Sequence, residues 1–404
     1  MDLLLPWATP ARLTLQSQAR AFAREVVLPL ADELDPVKGE MPGTLLDQLA
    51  DLGWFGLTIP ATQGGQGLGV FEYCLVSEEL ARAWLSVASI LARGQGLGTQ
   101  VRDESRRVDL LKRSAAGEWI GAIALSEPDA GSDLAGVATT AVRDGGDWVL
   151  TGHKRWAGHA LAADFIEVLA RVREPEAGEP RSAGLEPFLV VKERGTFPDG
   201  VTGTPIDKVG YHGFLTWDLV LDGVRVPDAD RLTGLYGDAG APGDEGGFAS
   251  VQRGLNIARV QTAARAVGLA RGALEDTALY LQEREQFGHP LGEFQALRFA
   301  LADMAADVAQ ARAFWCQVAH LLDAAVPCEK EAAMVKLQAT EMAVRVTNQA
   351  MQLHGGNGYT TERRVERYWR DARLTTIFEG TSEIQRRIIS DRLLPRPDPL
   401  PPKA

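Results

Sequence analysis

The sequence predicts an α+β protein in three parts. An N-terminal α-helical domain covers residues 1–120, a middle antiparallel β-barrel domain covers 121–233, and a C-terminal four-helix bundle covers 245–394 before a loose tail at 395–404. Three observations predict this. Apolar residues recur at three- and four-residue steps on both sides of the chain's middle. The middle carries short β-branched or alternating runs with glycine-rich turns between them. The 404 residues suffice for two or three domains.

In the first part, Leu15, Ala19, Phe22, Val26 and Leu30 fall on one helical face. Pro42 to Leu52 reads as a short helix ending at Gly53, and 71–92 and 104–116 read as helices again. The middle offers strands at Val137–Val142, Trp148–Leu150, Phe165–Val172, Pro187–Val191 and Trp217–Val226, with turns at Asp144-Gly145-Gly146-Asp147 and Asp222-Gly223. The stretch 173–186, rich in Glu, Pro and Gly, reads as an exposed connection, and 234–247 as a glycine-rich linker. Helices then return. Ile257, Val260, Ala264, Val267, Leu274, Ala278 and Leu281 share one stripe, runs at 293–324 and 329–353 follow on either side of Pro327, and a last helix begins near Thr381. Four such helices suggest an antiparallel bundle. The order helical, β, helical leaves a crevice in which a flat cofactor can lie.

Apolar residues make up 45% of the chain and charged residues 24%, as in soluble proteins with a substantial core. The net charge of −12 argues against nucleic-acid binding. It still allows an anionic ligand, held locally by helix N-termini and a few arginines. Cys74, Cys316 and Cys328 are widely separated, and the histidines form no metal-spaced pair. No disulfide or metal site is expected, and a reducing, cytoplasmic setting is. No apolar run approaches the ~18 residues of a membrane span. The start, Met1 to Trp7, lacks the basic n-region and apolar core of a signal peptide.

Gly65-Gln66-Gly67-Leu68-Gly69 recurs as Gly94-Gln95-Gly96-Leu97-Gly98. Neither copy has the glycine spacing or the strand–helix context of a dinucleotide fingerprint, so both read as tight loops and a Rossmann domain is not expected. Ala124-Leu125-Ser126-Glu127-Pro128-Asp129-Ala130-Gly131-Ser132-Asp133 joins the first part to the second. Its small residues, hydroxyls, proline and glycine suit either an interdomain turn or a loop that brings N–H groups to a planar ligand. In Thr376-Ile377-Phe378-Glu379-Gly380-Thr381-Ser382-Glu383, Glu379 follows two apolar residues and precedes a glycine. It reads either as a residue flanking the last helix or as a carboxylate whose burial raises its pKa to suit a general base.

The loop Ser126–Asp133 resembles the flavin-binding signature of the acyl-CoA dehydrogenase family, and four later stretches resemble that family in the same order. These are Lys154-Arg155-Trp156-Ala157-Gly158 with Ala163-Asp164, Arg284–Gly288 with Pro290-Leu291 and Gln295, Gln352–Tyr359, and Arg370-Asp371-Ala372 leading to Phe378-Glu379-Gly380-Thr381. The resemblance implies FAD and a homotetramer, or a homodimer, in which one subunit's FAD is touched by a neighbour. It places Ile123, Leu125, Ser126, Gly131 and Ser132 along the flavin, with Ser132 also at the thioester, and Trp156, Ala157 and Gly158 beside the isoalloxazine. Arg284, Phe287, Gln295, Gln352, Leu353, Gly355 and Gly356 would meet the adenosine diphosphate part, where an arginine and exposed glycine N–H groups suit a pyrophosphate. Thr381 and Glu383 join the cofactor set, and Asn256, Arg259 and Gly380 the substrate set.

The implied reaction converts an acyl-CoA to the trans-2-enoyl-CoA. Glu379 removes the α-proton, its own N–H and a flavin ribityl hydroxyl hold the enolate oxygen, and FAD N5 accepts the β-hydride. An electron-transfer flavoprotein is the expected acceptor. Some branches of the family carry the base on the bundle's first helix, where this chain has Ala258, which strengthens the expectation of Glu379 as the base. The chain departs from the family in three places: Gly158 replaces the hydroxyl residue that bonds the flavin near N5, Asn256 replaces an aspartate, and Tyr211–Thr216 is bulkier than usual. Leu85, Val87 and Ile90 suit a short- to medium-chain or branched acyl group. Arg93 reads as a solvated helix-end arginine, the other option being contact with a carboxylated acyl end. An oxidase or monooxygenase on the same fold, and a non-catalytic scaffold, are the alternative functions.

Overall fold

A computed structural model describes residues 7–234 and 248–394, the side chains of 248–253 excepted. The expected linker at 234–247 (beyond its first residue) and the expected tail lie outside the described residues. The chain forms two compact units, Met1–Leu255 and Asn256–Ala404.

The first unit opens with helices α1 (Pro10–Phe22), α2 (Leu28–Leu34), α3 (Gly43–Asp51), α4 (Val70–Ala83), α5 (Leu85–Ile90) and α6 (Glu104–Ala115). Thr9 caps α1, its side chain accepting the N–H of Arg12. A π-helical turn at Ala23–Val27, just ahead of Pro29, joins α1 to α2. Ala19, Ala23, Val27 and Ala31 are the fully enclosed positions there, with Leu15, Phe22, Val26 and Leu30 half-buried beside them. The expected helix at 71–92 is broken at Trp84, whose backbone is extended. Both Gly-Gln-Gly-Leu-Gly stretches are tight loops. A Cβ on Gly65 would stand 2.1 Å from the Ile59 carbonyl oxygen, and one on Gly98 2.4 Å from the Phe165 ring.

The sheet contains β1 (Gly121–Ala124), β2 (Thr140–Asp144), β3 (Asp147–Gly158), β4 (Phe165–Arg171), β5 (Leu185–Val191), β6 (Val201–Pro205) and β7 (Thr216–Pro227). Its order is β1-β4-β2-β3-β7-β6, with β5 on β4. Most pairs are antiparallel, as expected, but β1 and β2 both run parallel to β4. The Asp144–Asp147 hairpin joins β2 to β3. Asp222-Gly223 does not turn the chain. It forms a bulge inside β7, where the register against β3 shifts between Leu150 and Gly152, with Gly223 at φ 70°. The sheet's core is apolar, with Ala122, Leu150, Ile166, Phe188, Leu219 and Val226 enclosed.

The second unit takes up helix α7 (Phe248–Glu283), followed by a short hairpin of β8 (Glu285–Gln286) and β9 (His289–Pro290) and by α8 (Gln295–Asp323), α9 (Glu329–His354), α10 (Val365–Thr375) and α11 (Ser382–Leu393). Helix α9 packs against α8, α10 and α11. On α7 every residue from Ala258 to Ala270 is buried, polar ones included, so the single apolar stripe read from the sequence understates how far this helix is enclosed.

Candidate active site

In the first unit the site is built where β1 ends beside the end of β3. Past Ala124 the chain makes a turn closed between Glu127 and Ala130. The Glu127 carboxylate is buried and accepts the N–H groups of Ala138 (2.8 Å) and Thr139 (2.9 Å), the Thr139 hydroxyl (2.5 Å) and the Lys154 amine (2.7 Å). Lys154 Nζ also donates to the Leu125 carbonyl (3.1 Å), and the Arg155 N–H to that of Ser126 (2.8 Å). Burial works against the ionised Glu127, yet Lys154 and the other donors outweigh it and hold the carboxyl below its ordinary range. Burial pushes Lys154 down to about 8, against the pull of Glu127, so the pair is ionised at neutral pH. This buried pair clasps the predicted flavin loop to β3. Leu125 and Ser126 are half-buried on it, Gly131 and Ser132 exposed, and Ile123 half-buried on β1.

Near its end β3 carries a second bulge, at Arg155–Trp156, opposite β7. Trp156 takes φ 69°, which turns its indole outward to 54% exposure with the Arg155 guanidinium 4.9 Å from the ring. Ala157 and Gly158 follow it, both buried. The Phe214 ring and the Arg93 guanidinium stand where a side chain on residue 158 would go. Arg93 is therefore half-buried against the sheet end, not a solvated helix-end residue. The bulky loop after Tyr211 is tied down by Lys208 Nζ, which donates to the carbonyls of Tyr211 (2.8 Å) and Phe214 (3.0 Å).

In the second unit Glu379 occupies a turn ahead of α11. Its φ is 54° and that of Gly380 is 86°. Two side chains hold this left-handed turn. Lys336 Nζ, on α9, donates to the Gly380 carbonyl (2.7 Å), and Gln385 Nε2 donates to the carbonyls of Glu379 (3.2 Å) and Gly380 (2.9 Å). Lys336 is fully enclosed, and burial pushes it down to about 7 against the pull of Glu379. The helix-flanking reading of this stretch holds. Thr381 caps α11 by accepting the Ile384 N–H (3.3 Å), with exposed Glu383 in the first turn, while Glu379 is half-buried rather than enclosed. On α7, Arg259 is buried and its Nη1 donates to the Asn256 side chain (2.5 Å).

The remaining predicted residues gather at the other end of the second unit. Arg284 follows the end of α7, and the β8–β9 hairpin turns on Phe287 (φ 55°) and Gly288 (φ 81°), a pairing that suits a two-residue turn and leaves Phe287 91% exposed. Tyr280, one turn before Arg284, stacks on His354 at 4.2 Å, and the Asn357 amide donates to its hydroxyl (2.9 Å). That contact brings the α7 end beside Gln352, Leu353, Gly355 and Gly356. Leu353 is buried, while Gln352, both glycines and Gln295 are exposed. A Cβ on Gly131, Gly355 or Gly356 would meet nothing within 4 Å, so ligand can approach the backbone at all three. In the first unit the outward indole and the hydroxyl-bearing loop suit a flat ring, and in the second the open glycines and the exposed arginine suit a phosphate group. Sequence reasoning missed Lys336, Gln385 and the depth of the Glu127–Lys154 pair. The available signal for Lys336 was a lone cation inside the apolar run Ala332–Leu337.

Among the described residues no cluster of His, Cys, Asp and Glu could hold a metal, and no helix is long and apolar enough to cross a membrane. Three family descriptions match the chain: acyl-CoA dehydrogenase N-terminal domain over residues 9–118, middle domain over 122–224 and C-terminal domain over 245–394. The chain is 38% identical over 386 residues to benzylmalonyl-CoA dehydrogenase of Aromatoleum aromaticum, covering 95% of this chain and 97% of that one. It is 37% identical over 394 residues to (2S)-methylsuccinyl-CoA dehydrogenase of Cereibacter sphaeroides, covering 94% and 69% respectively. Among solved structures, butyryl-CoA dehydrogenase from Megasphaera elsdenii superposes with a TM-score of 0.86 at 32% identity, over 98% of this chain and 100% of that one. The chain thus belongs to the acyl-CoA dehydrogenase family of flavoprotein oxidoreductases.

Proposed function

We propose that this chain is an FAD-dependent dehydrogenase that converts an acyl-CoA to the trans-2-enoyl-CoA, with Glu379 as the base for the α-proton. One observation carries the reading. The Glu379 carboxylate is half-buried on a left-handed turn held by Lys336 and Gln385. A thioester α-proton is weakly acidic, and its removal requires a carboxylate fixed in attitude toward the carbon. Ala258 offers no rival carboxylate at the other family position. In this reading the Glu379 N–H donates to the thioester oxygen as charge develops on it. Bound FAD supplies the acceptor for the β-hydride.

Ile123, Leu125, Ser126 and Ser132, with Trp156, Ala157 and Gly158, hold the ring in this reading. Arg284, Phe287, Gln295, Gln352, Leu353, Gly355 and Gly356 take the diphosphate end, with Thr381 and Glu383 completing the cofactor set. Asn256, Arg259 and Gly380 face the substrate. Lys336, under the Glu379 turn, and His354, before the open glycines, are eighteen residues apart on α9. At the rise of an α-helix that is about 27 Å. The separation supports a cofactor shared between subunits of a homo-oligomer, with the glycine loop serving a neighbour's FAD. An electron-transfer flavoprotein is the acceptor and the cytoplasm the compartment. The acyl group is short. The relatives named for methylsuccinyl and benzylmalonyl thioesters support one bearing a second carboxylate.

Glu379→Gln should leave the purified protein yellow and slow anaerobic flavin bleaching by acyl-CoA on the order of 1000-fold. Full bleaching at the wild-type rate by that variant rejects the role of Glu379. Fast reoxidation of the reduced wild type by oxygen would favour an oxidase.

A further inference from the structure

The loop after β1 is held to β3 on both flanks of Ser126. The Leu125 carbonyl accepts Lys154 Nζ (3.1 Å), and the Ser126 carbonyl accepts the Arg155 N–H (2.8 Å). One residue on, the Glu127 N–H is taken by the Ala130 carbonyl (2.9 Å). The Ser126 N–H between them has no hydrogen bond among the described residues. In a planar trans peptide the C=O and N–H point in opposite directions. With the Leu125 carbonyl turned onto Lys154, the N–H of that same peptide points away from Lys154, on a residue that is only half-buried. The group behind the carbonyl is a buried cation. Lys154 is fully enclosed, and its countercharge Glu127 is anchored by the N–H groups of Ala138 and Thr139 and by the Thr139 hydroxyl. The ammonium, not the carboxylate, is the end of the pair bonded to the peptide. A charged donor on a carbonyl oxygen polarises the peptide in a low-dielectric interior, and the N–H at its other end becomes a stronger donor.

We infer that Lys154 is a positioning residue for the cofactor: by holding and polarising the Leu125–Ser126 peptide, it aims the Ser126 N–H at the flavin and sets how readily the bound flavin is reduced. The inference rests on the FAD binding of the proposed function and assigns a role there to a side chain that acts through the loop. A donor fixed before the ligand arrives costs no reorganisation when it is used. Reduction adds negative charge to the ring, so a donor backed by a buried cation favours the reduced state.

The test reads the cofactor, with no substrate present. Lys154→Met alone strands a buried carboxylate, so it is combined with Glu127→Gln. The double variant, matched to wild type in circular dichroism, should bind FAD about 10- to 100-fold more weakly. Spectroelectrochemical titration should find the midpoint potential of its flavin below that of wild type. Lys154→Arg, which keeps a cationic donor, should recover most of the affinity and the potential. A second arm needs no variant and decides even where a variant does not fold. Hydrogen exchange at the Ser126 amide should be fast in FAD-free wild type and slow by about tenfold or more on loading FAD. A folded double variant with wild-type affinity and potential overturns the inference, since the pair is then a tie of the fold alone. Weaker binding at an unchanged potential also overturns it, as does a Ser126 amide whose exchange ignores FAD. Each of these leaves the dehydrogenation standing. A wild-type protein that takes up no FAD brings down the proposed function and this inference with it.

Discussion

Lys336 carries its amine under the Glu379–Gly380 turn, and its sequence context hid this. A lone lysine among apolar neighbours usually snorkels to water, and helical periodicity does not say where Nζ ends. Glu379, by contrast, was legible because a turn-forming glycine and a capping threonine follow it. Removing the Lys336 donor leaves the Gly380 carbonyl to Gln385 alone and loosens the turn that carries the proposed base. Lys336→Met should lower kcat for acyl-CoA-dependent bleaching by about ten- to hundredfold, with a smaller change in KM, as steady-state kinetics will measure. The same residue makes a pH prediction. Its pKa falls from 10.5 unfolded to about 7 folded. Between those values the unfolded chain binds more protons, so stability is fully present above about 10.5 and is lost progressively as pH falls to about 7. Denaturant melts at pH 7 and pH 9 should show a rise with pH in the wild type that is smaller in Lys336→Met.

Among the elements, those with strong patterns were readable and those set by long-range contact were not. The Asp144–Asp147 hairpin follows from its glycines, and α4, α6, α8 and α9 from their apolar periods. Strand β1, Gly121-Ala122-Ile123-Ala124, has too little β-branched character to stand out and becomes a strand by pairing with β4. Asp222-Gly223 has the composition of a turn, and only the continuing pairing of β7 with β3 makes it a bulge. Helix α10 is rich in arginine and acidic residues, which masked its apolar face. The glycine-rich loop after α9 separates two roles that composition merges. A Cβ on Gly358 would meet the Met351 carbonyl oxygen at 2.6 Å, whereas one on Gly356 has open space. Gly358→Ala should destabilise the fold by about 1–3 kcal/mol. Gly356→Ala should leave the apoprotein's melting temperature unchanged and weaken FAD retention, as calorimetry and flavin release will distinguish.

For the whole molecule, composition and the helical–β–helical order sufficed for the fold class, because layers of secondary structure follow from periodicity. The proposed assembly rests on the resemblance. The observation that now supports it is Phe287, an aromatic held outward at the tip of a hairpin in the second unit. Aromatic side chains are enriched where chains meet. If this hairpin makes the proposed subunit contact, Phe287→Asp should lower the particle mass in light scattering and release the proposed FAD together with it. Loss of neither would separate this hairpin from the cofactor.

The left-handed backbone at Glu379 has a consequence for how the protein tolerates change. That conformation costs a side chain with a Cβ about 1–2 kcal/mol and costs glycine nearly nothing. Glu379→Gly should therefore relax the backbone and raise stability, while removing the proposed base. A glutamate at a position where the backbone disfavours it is what the proposed role of its side chain requires.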